Sequence, residues 1–256
     1  MPKPAIRRVA NLAAAIGLAM AMAMALCSCS FGASIPAVSS VGSAAQANAV
    51  PGGAHAGPHP PQQGEADVAA PLAVATMGDS ITFGRGVRPT EAWPALVAGH
   101  NGWTLTNVGC SGAGFVTVGW SGCGGTYAGE VPRVIAARPE VIVIQASRND
   151  IGQPDDRIRV NAAALVTQLR SALPQVRFVG ISAIWNDTAR PPQLAGIDDG
   201  LKQAVLAEGG TFLTVKDALI GHRDLLQPDD VHPTAAGQAV LADVIATVLT
   251  AARIGR

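Results

Sequence analysis

The chain is short of charged and aromatic side chains. Charged residues make up 14% of its 256 positions and aromatic residues 4%, and the formal net charge is zero. Proteins that bind nucleic acid usually carry a clustered basic face, so no nucleic-acid partner is expected. Hydrophobic residues reach 48%, which is enough for a large core and argues against disorder of the whole chain.

The sequence also has little that could hold a metal ion. No group of His, Cys and Asp shows metal-ligand spacing, so neither a metal nor a cofactor is expected. His55 and His59 lie in a stretch rich in Pro and Gly, where two histidines are more often incidental than ligands.

The N-terminus predicts export. Lys3, Arg7 and Arg8 precede an apolar run at 12–26, which is shorter than the ~20 residues of a spanning helix. A basic segment before such a run is typical of a secretory signal, with an uncleaved anchor as the lesser alternative. Residues 1–29 are therefore predicted to be a signal peptide, and the protein to be secreted or anchored to the cell envelope.

The end of that signal leaves two readings open. Residues 26–29 look like a lipobox, in which Cys29 would carry a lipid and associate the protein with a membrane. Ordinary cleavage without a lipid fits equally well, because Cys27 is unusual for that motif. Residues 30–67 are mainly Ala, Gly, Ser and Pro without a hydrophobic period, which is typical of a flexible linker.

From residue 68 to 256 short apolar runs alternate with helical patterns. Such alternation indicates a mostly parallel sheet covered on both faces, a three-layer α/β/α sandwich with five strands. In these sheets the active site lies at the carboxyl ends of the strands. Strands are predicted at 72–77, 104–108, 141–145, 177–184 and 211–215, and helices at 91–98, 131–137, 156–173, 194–208 and 234–252.

A serine and a histidine stand where such a site would form. Ser80 follows the first strand, although a serine that only caps a helix would explain it as well. Serine needs a base to become nucleophilic, and His232 precedes the last helix. A carboxylate three residues earlier, Asp229, could hold the imidazole in one tautomer, with Asp230 as the second choice.

Two further segments follow the second and third strands. Gly109 lies in a Gly-rich stretch whose backbone could approach a substrate, and Asn149 places an amide at a strand end. Acyl transfer needs donors aimed at the developing oxyanion. A turn glycine and an Asx turn explain the same residues without any chemistry.

Together the four segments resemble the SGNH hydrolases, also called GDSL esterases. That family carries Gly-Asp-Ser, a glycine, Gly-x-Asn-Asp and Asp-x-x-His in this order, and 78–80, 109, 147–150 and 229–232 match it, except that Ser147 replaces the usual glycine. The resemblance implies a flavodoxin-like fold, Ser80 as nucleophile, His232 as base and Asp229 as its orienting acid. It further implies an oxyanion hole of the Ser80 N–H, Gly109 and Asn149.

The remaining candidates surround these segments. Cys110 and Cys123 are expected to form a disulfide in an oxidising compartment, with two buried thiols as the alternative. Trp120, Trp185 and Arg148 are candidates for the substrate pocket, although core packing and a paired arginine explain them too.

Together with the predicted export signal, the resemblance implies an exported serine esterase that hydrolyses acyl or acetyl esters of small molecules, lipids or glycans, and a monomer is expected. An O-acyltransferase of the same fold, which passes the acyl group to a sugar, is one alternative. A non-catalytic domain that binds the cell envelope is another.

Overall fold

The computed structural model describes residues 70–120 and 122–255. The predicted signal peptide, the linker and Cys29 lie outside these residues. The strands are β1 (Ala73–Met77), β2 (Thr104–Asn107), β3 (Val141–Gln145), β4 (Arg177–Ile181) and β5 (Thr211–Leu213). The helices are α1 (Ser80–Phe83), α2 (Trp93–Asn101), α3 (Val131–Ala137), α4 (Asp155–Ala172), α5 (Gln193–Ala207) and α6 (Ala235–Ala251).

The sheet is parallel, with the strand order β2-β1-β3-β4-β5. This order confirms the predicted α/β/α sandwich with a five-stranded parallel sheet. Because the strand order reverses at β1, the carboxyl ends of β1 and β3 border a crevice, where open α/β sheets bind their ligands. The segments that carry Ser80, Gly109 and Asn149 all leave the sheet at this edge.

Each face of the sheet has its own hydrophobic core, as alternation along β3 shows. Val141 and Val143 belong to the core that packs against α2 and α6. Ile142 and Ile144 belong to the core that packs against α3, α4 and α5. Side chains alternate between faces along a strand, so the continuous apolar run of β3 fills both layers.

Two strands end two or more residues earlier than the sequence predicts, and β2 ends one residue earlier. β4 stops at Ile181, because the Ala183 N–H donates to Asp198 Oδ1 over 2.7 Å. β5 stops at Leu213, and the Val215 N–H donates to Ser182 Oγ over 2.9 Å. Side-chain acceptors thus replace the sheet ladder at this edge, and periodicity along the chain gives no sign of them. Among the described helices none is both long and apolar enough to span a membrane.

Candidate active site

Ser80 is the first residue of the short helix α1. The N-cap of this helix is Asp79, whose Oδ1 accepts the Ile81 N–H over 2.9 Å, so Ser80 is not itself the cap. Gly78 lets the chain turn between strand and helix, since a Cβ there would lie 2.2 Å from Thr82 Oγ1. Burial raises the pKa of Asp79 above its usual value, against its hydrogen bond to Ile81.

Ser80, His232 and Asp229 form one hydrogen-bonded row. Ser80 Oγ lies 2.8 Å from His232 Nε2, and His232 Nδ1 lies 2.6 Å from Asp229 Oδ2. Asp229 Oδ1 also accepts the backbone N–H of His232 over 3.0 Å. The carboxylate therefore fixes the histidine both through its ring and through its backbone, which is the arrangement of a serine hydrolase triad.

Asp229, and not Asp230, contacts the imidazole. Partial burial raises the pKa of Asp229, but hydrogen bonds from the His232 backbone, its ring and the Val231 N–H outweigh this and lower the pKa to about 2. An ionised Asp229 keeps the proton on Nδ1, so Nε2 accepts from Ser80. Asp230 has φ 57°, in the left-handed region, and its carboxylate pairs with Arg223.

The loop that carries His232 is held against the segment that follows α1. Its ends are closed by a bridge between Leu226 and Pro233, and the Gln227 N–H donates to the His232 carbonyl over 2.7 Å. The Gln227 side chain donates to the Arg85 carbonyl over 2.8 Å. Gln227 therefore ties histidine and serine segments that are far apart in sequence, a role that the sequence did not suggest.

Gly109 lies where expected, but its N–H is already engaged. It donates to Asn107 Oδ1 over 2.9 Å, which is a departure from the expected oxyanion donor. Asn107 in turn donates to the Thr82 carbonyl over 2.8 Å and so joins β2 to α1. The glycine is needed sterically, because a Cβ would lie 2.4 Å from Phe83 N.

The other two donors remain available. In the described part of the chain the Ser80 N–H donates to no protein acceptor. One hydrogen of the Asn149 amide is bonded to the Ala113 carbonyl, with Nδ2 2.9 Å from the oxygen, and the second is left over. This bond orients the amide. The Ser80 N–H and the second hydrogen of Asn149 Nδ2 are therefore the free donors at the site.

Ser147, in place of the usual glycine, does not distort the backbone. Its φ of −101° and ψ of 129° are extended and open to any residue. Its buried hydroxyl lies 2.7 Å from the Ala113 carbonyl and accepts the Asn149 N–H over 3.1 Å. The side chain thus caps the short turn that carries Asn149.

Asp150 has a role that the sequence did not reveal. Its buried carboxylate accepts the backbone N–H groups of Phe115 over 2.7 Å, Val116 over 3.1 Å and Thr117 over 3.0 Å. It therefore anchors the loop after β2 to the turn after β3. The only feature of the sequence that pointed to Asp150 was its place as the last residue of the Gly-x-Asn-Asp motif, matched here by residues 147–150.

The same loop carries a disulfide between Cys110 and Cys123, with Cα atoms 5.5 Å apart. The predicted pairing of the two cysteines is therefore present. Cys110 directly follows Gly109, and its N–H donates to the Gly78 carbonyl over 2.9 Å. The bridge closes a loop whose first residue is bonded to the strand end before Ser80.

Two arginines stack on the candidate pocket tryptophans. The Arg148 guanidinium lies 4.0 Å from the ring centre of Trp185, and that of Arg85 lies 4.0 Å from Trp120. Burial lowers the pKa of Arg148, against the charges of Asp79 and Asp229. Neither tryptophan belongs to the buried core, although Trp185 packs against it. Among the described residues no cluster of three His, Cys, Asp or Glu side chains could bind a metal ion.

Comparison with known proteins identifies the family of the chain. A model of the GDSL-like lipase/acylhydrolase family matches residues 76–240. None of the curated proteins compared with the chain matches it.

Solved structures of low sequence identity share the fold. The esterase EstA from Pseudoalteromonas sp. is 19% identical, with a TM-score of 0.56 over 70% of this chain and 97% of its own. A family two carbohydrate esterase from Clostridium thermocellum, in complex with cellohexaose, is 15% identical, with a TM-score of 0.58 over 73% of this chain and 66% of the esterase chain. The salicylyl-acyltransferase SsfX3 from a tetracycline biosynthetic pathway is 19% identical, with a TM-score of 0.56 over 73% of this chain and 56% of the acyltransferase chain. The chain belongs to the GDSL-like lipase/acylhydrolase family and is an SGNH-type enzyme of ester chemistry.

Proposed function

We propose that the protein is an exported serine esterase that hydrolyses carboxylic esters through an acyl-enzyme on Ser80. The observation that carries the proposal is the hydrogen-bonded row of Ser80, His232 and Asp229, with distances of 2.8 Å and 2.6 Å. Serine, base and orienting carboxylate in this order are what covalent acyl transfer requires.

The first half of the reaction forms the acyl-enzyme. His232 Nε2 takes the hydroxyl proton as Ser80 Oγ attacks the ester carbonyl carbon. Negative charge then develops on the carbonyl oxygen, and the Ser80 N–H and the free hydrogen of Asn149 Nδ2 are the donors placed to receive it. The tetrahedral intermediate collapses, the C–O bond to the alcohol breaks, and His232 gives its proton to the departing oxygen.

The second half returns the enzyme to its starting state. His232 takes a proton from water, the resulting oxygen attacks the acyl carbon, and the proton passes back to Ser80 as the acid leaves. Asp229 stays ionised throughout and stabilises the imidazolium that forms twice in each cycle.

Export is part of the proposal and is supported by the N-terminal sequence and by the disulfide. Bonds such as Cys110–Cys123 persist in oxidising compartments and are rare in the cytosol. Small, lipid or glycan esters of the cell envelope are the substrates proposed. A signal-sequence fusion to a reporter that is active only outside the cytosol tests the export step.

Labelling and turnover test the chemistry. A fluorophosphonate probe should label the wild-type protein at Ser80 and leave Ser80→Ala unlabelled, with loss of ester turnover in a variant of unchanged circular dichroism. Unchanged turnover by Ser80→Ala would reject Ser80 as the nucleophile. Product analysis with and without a sugar acceptor then separates hydrolysis from acyl transfer, because a transferase gives the acylated sugar at the expense of free acid.

A further inference from the structure

A cavity of about 280 Å³ lies between the segment that follows Ser80 and the loop after β2. Its lining includes Phe83, Arg85, Gly109 and Trp120. Phe83 is the last residue of the helix that begins with Ser80, and the Arg85 N–H donates to the Ser80 carbonyl over 2.9 Å. Two segments of the candidate active site, those that carry Ser80 and Gly109, therefore also contribute to the wall of the cavity.

The walls of this cavity combine two exposed aromatic rings with an oriented cation. Phe83 is 54% exposed and Trp120 is 53% exposed, so both rings face solvent at the cavity. The Arg85 guanidinium lies over the Trp120 ring at 4.0 Å. A stacked guanidinium has lost much of its rotamer freedom and keeps its N–H groups free at its edge, where they match the oxygens of a planar anion.

The charge of Arg85 is not balanced within the described chain. The other cation that lines the cavity, Arg133, pairs with Glu130 over 2.7 Å, and Glu130 also accepts the Gly124 N–H over 2.8 Å. No described carboxylate lies within ion-pair distance of Arg85. The cavity therefore carries one positive charge in excess.

An unpaired guanidinium is not confined to Arg85, since Arg148 also lies over a tryptophan and its buried Nη1 has no partner, but several other described arginines are paired. Arg170 donates to the carbonyl oxygens of Pro174, Val176 and Glu208, and Arg88 pairs with Glu91 over 2.6 Å. These guanidinium groups hold the fold together with their N–H groups. The Arg85 guanidinium makes no hydrogen bond or ion pair among the described residues and lies over the Trp120 ring.

We propose that this cavity is a substrate subsite that takes the anionic group of an ester, a carboxylate or a phosphate, on the Arg85 guanidinium. Phe83 and Trp120 form the apolar walls against which the carbon skeleton next to the anion packs. The inference rests on the proposed function, because it names the substrate class of the same site.

Matched pairs of esters test the subsite. Mono-4-nitrophenyl adipate and 4-nitrophenyl hexanoate differ by a carboxylate on the acyl side, and 4-acetoxybenzoate and 4-acetoxybenzamide differ by a charge on the alcohol side. 4-Acetoxyphenyl phosphate replaces the carboxylate with a phosphate and so separates the two anions. The wild-type enzyme should prefer the anionic member of at least one pair by about tenfold in kcat/KM, the usual worth of one charge-assisted hydrogen bond.

Substitution of the arginine should remove this preference. Arg85→Gln should lower kcat/KM for the anionic ester about tenfold and bring the two members of the pair together. Arg85→Lys should restore part of the preference, since it keeps the charge without the planar donor edge. Arg88→Gln removes an exposed arginine that is paired elsewhere, so it should keep the wild-type preference.

The outcomes separate the two proposals. Turnover of the neutral esters without any preference for an anion would overturn the subsite and leave the esterase standing. A preference that survives in Arg85→Gln, or that is lost only in Arg148→Gln, would also overturn it. Absence of turnover for every ester by folded wild-type protein would contradict the esterase, and the subsite with it.

Discussion

The hydroxyl of Ser147 accepts a hydrogen bond from the backbone N–H of Asn149 over 3.1 Å. The same hydroxyl lies 2.7 Å from the Ala113 carbonyl, and the Asn149 amide reaches that carbonyl over 2.9 Å. Ser147 Oγ also lies 3.3 Å from Asp79 Oδ2, the side chain that caps α1. One buried hydroxyl thus connects the proposed oxyanion donor with the segment that carries the nucleophile.

Loss of this hydroxyl should reduce catalysis without altering substrate binding. Ser147→Ala keeps the Cβ and the extended backbone but removes all three polar contacts of the hydroxyl, so the Asn149 amide should be held less firmly. We expect kcat to fall about threefold to tenfold, the worth of one net hydrogen bond, with little change in KM. Steady-state kinetics on a neutral aryl acetate measure the effect.

Two comparisons separate positioning from a general loss of stability. Ser147→Thr keeps a hydroxyl and should retain more activity than Ser147→Ala wherever the extra methyl is accommodated. Thermal melting should show both variants folded at the assay temperature. A fall in kcat that merely follows the unfolded fraction would mean that Ser147 has a structural role only.

The Asn149 amide should contribute more to stabilising the oxyanion than it would if all three expected donors, the N–H groups of Ser80 and Gly109 and the Asn149 amide, were free. The Gly109 N–H is engaged by Asn107, so the charge on the oxyanion depends on the Ser80 N–H and on Asn149. Asn149→Ala should therefore lower kcat on the order of 10³-fold and leave KM nearly unchanged, because the donor acts on charge that develops in the transition state.

The control for this prediction is Asn161→Ala, which removes another side-chain amide that donates to a loop carbonyl, that of Phe115, over 2.9 Å. It should leave kcat close to the wild-type value. An effect of Asn149→Ala confined to KM would show instead that Asn149 binds the substrate in its ground state.

The sequence predicted the parts of this site that are local. Ser80, Asn149 and the Asp229–His232 pair each stand in a short motif beside a strand end or before a helix, and periodicity placed those strands and helices within a few residues. The hydrogen bond from the Gly109 N–H to Asn107 Oδ1 was not predictable in this way, because it depends on the rotamer of a side chain at the end of a strand. Asp150 and Gln227 were missed because their partners lie 33 to 35 and 142 residues away in the chain.

Asp229 should prove to be the orienting acid. Asp229→Asn removes the charge next to His232 Nδ1 and favours the wrong tautomer, so kcat should fall on the order of 10³–10⁴-fold. Asp230→Asn is the matched control, because Asp230 pairs with Arg223 and not with the imidazole. If Asp230→Asn were the more damaging change, the assignment of the acid would be wrong.

The depressed pKa of Asp229 predicts a pH dependence of stability as well. Its pKa falls from the usual 3.8 to about 2 in the folded protein, so ionised Asp229 stabilises the fold fully above pH 3.8. That contribution is lost as the pH falls toward 2. The difference in Tm between wild type and Asp229→Asn should therefore shrink between about pH 5 and 2, as thermal melts can show.

The disulfide should contribute to both stability and catalysis, but unequally. Cys110 and Cys123 are 13 positions apart, and a loop of that size is worth ~3 kcal/mol in the chain-entropy model, or about 6–12 °C in Tm for a domain of this length. The kcat effect should be smaller, about threefold to tenfold, because Asp150 still anchors the middle of the loop through three backbone N–H groups.

Reduction of the wild-type protein and the double substitution Cys110→Ser with Cys123→Ser should lower Tm and kcat by the same amounts, and reductant should not affect the double variant. Peptide mapping without reduction should show the linked peptides. If loss of the disulfide lowers Tm but leaves kcat unchanged, the disulfide stabilises the loop but does not help to position the oxyanion donors.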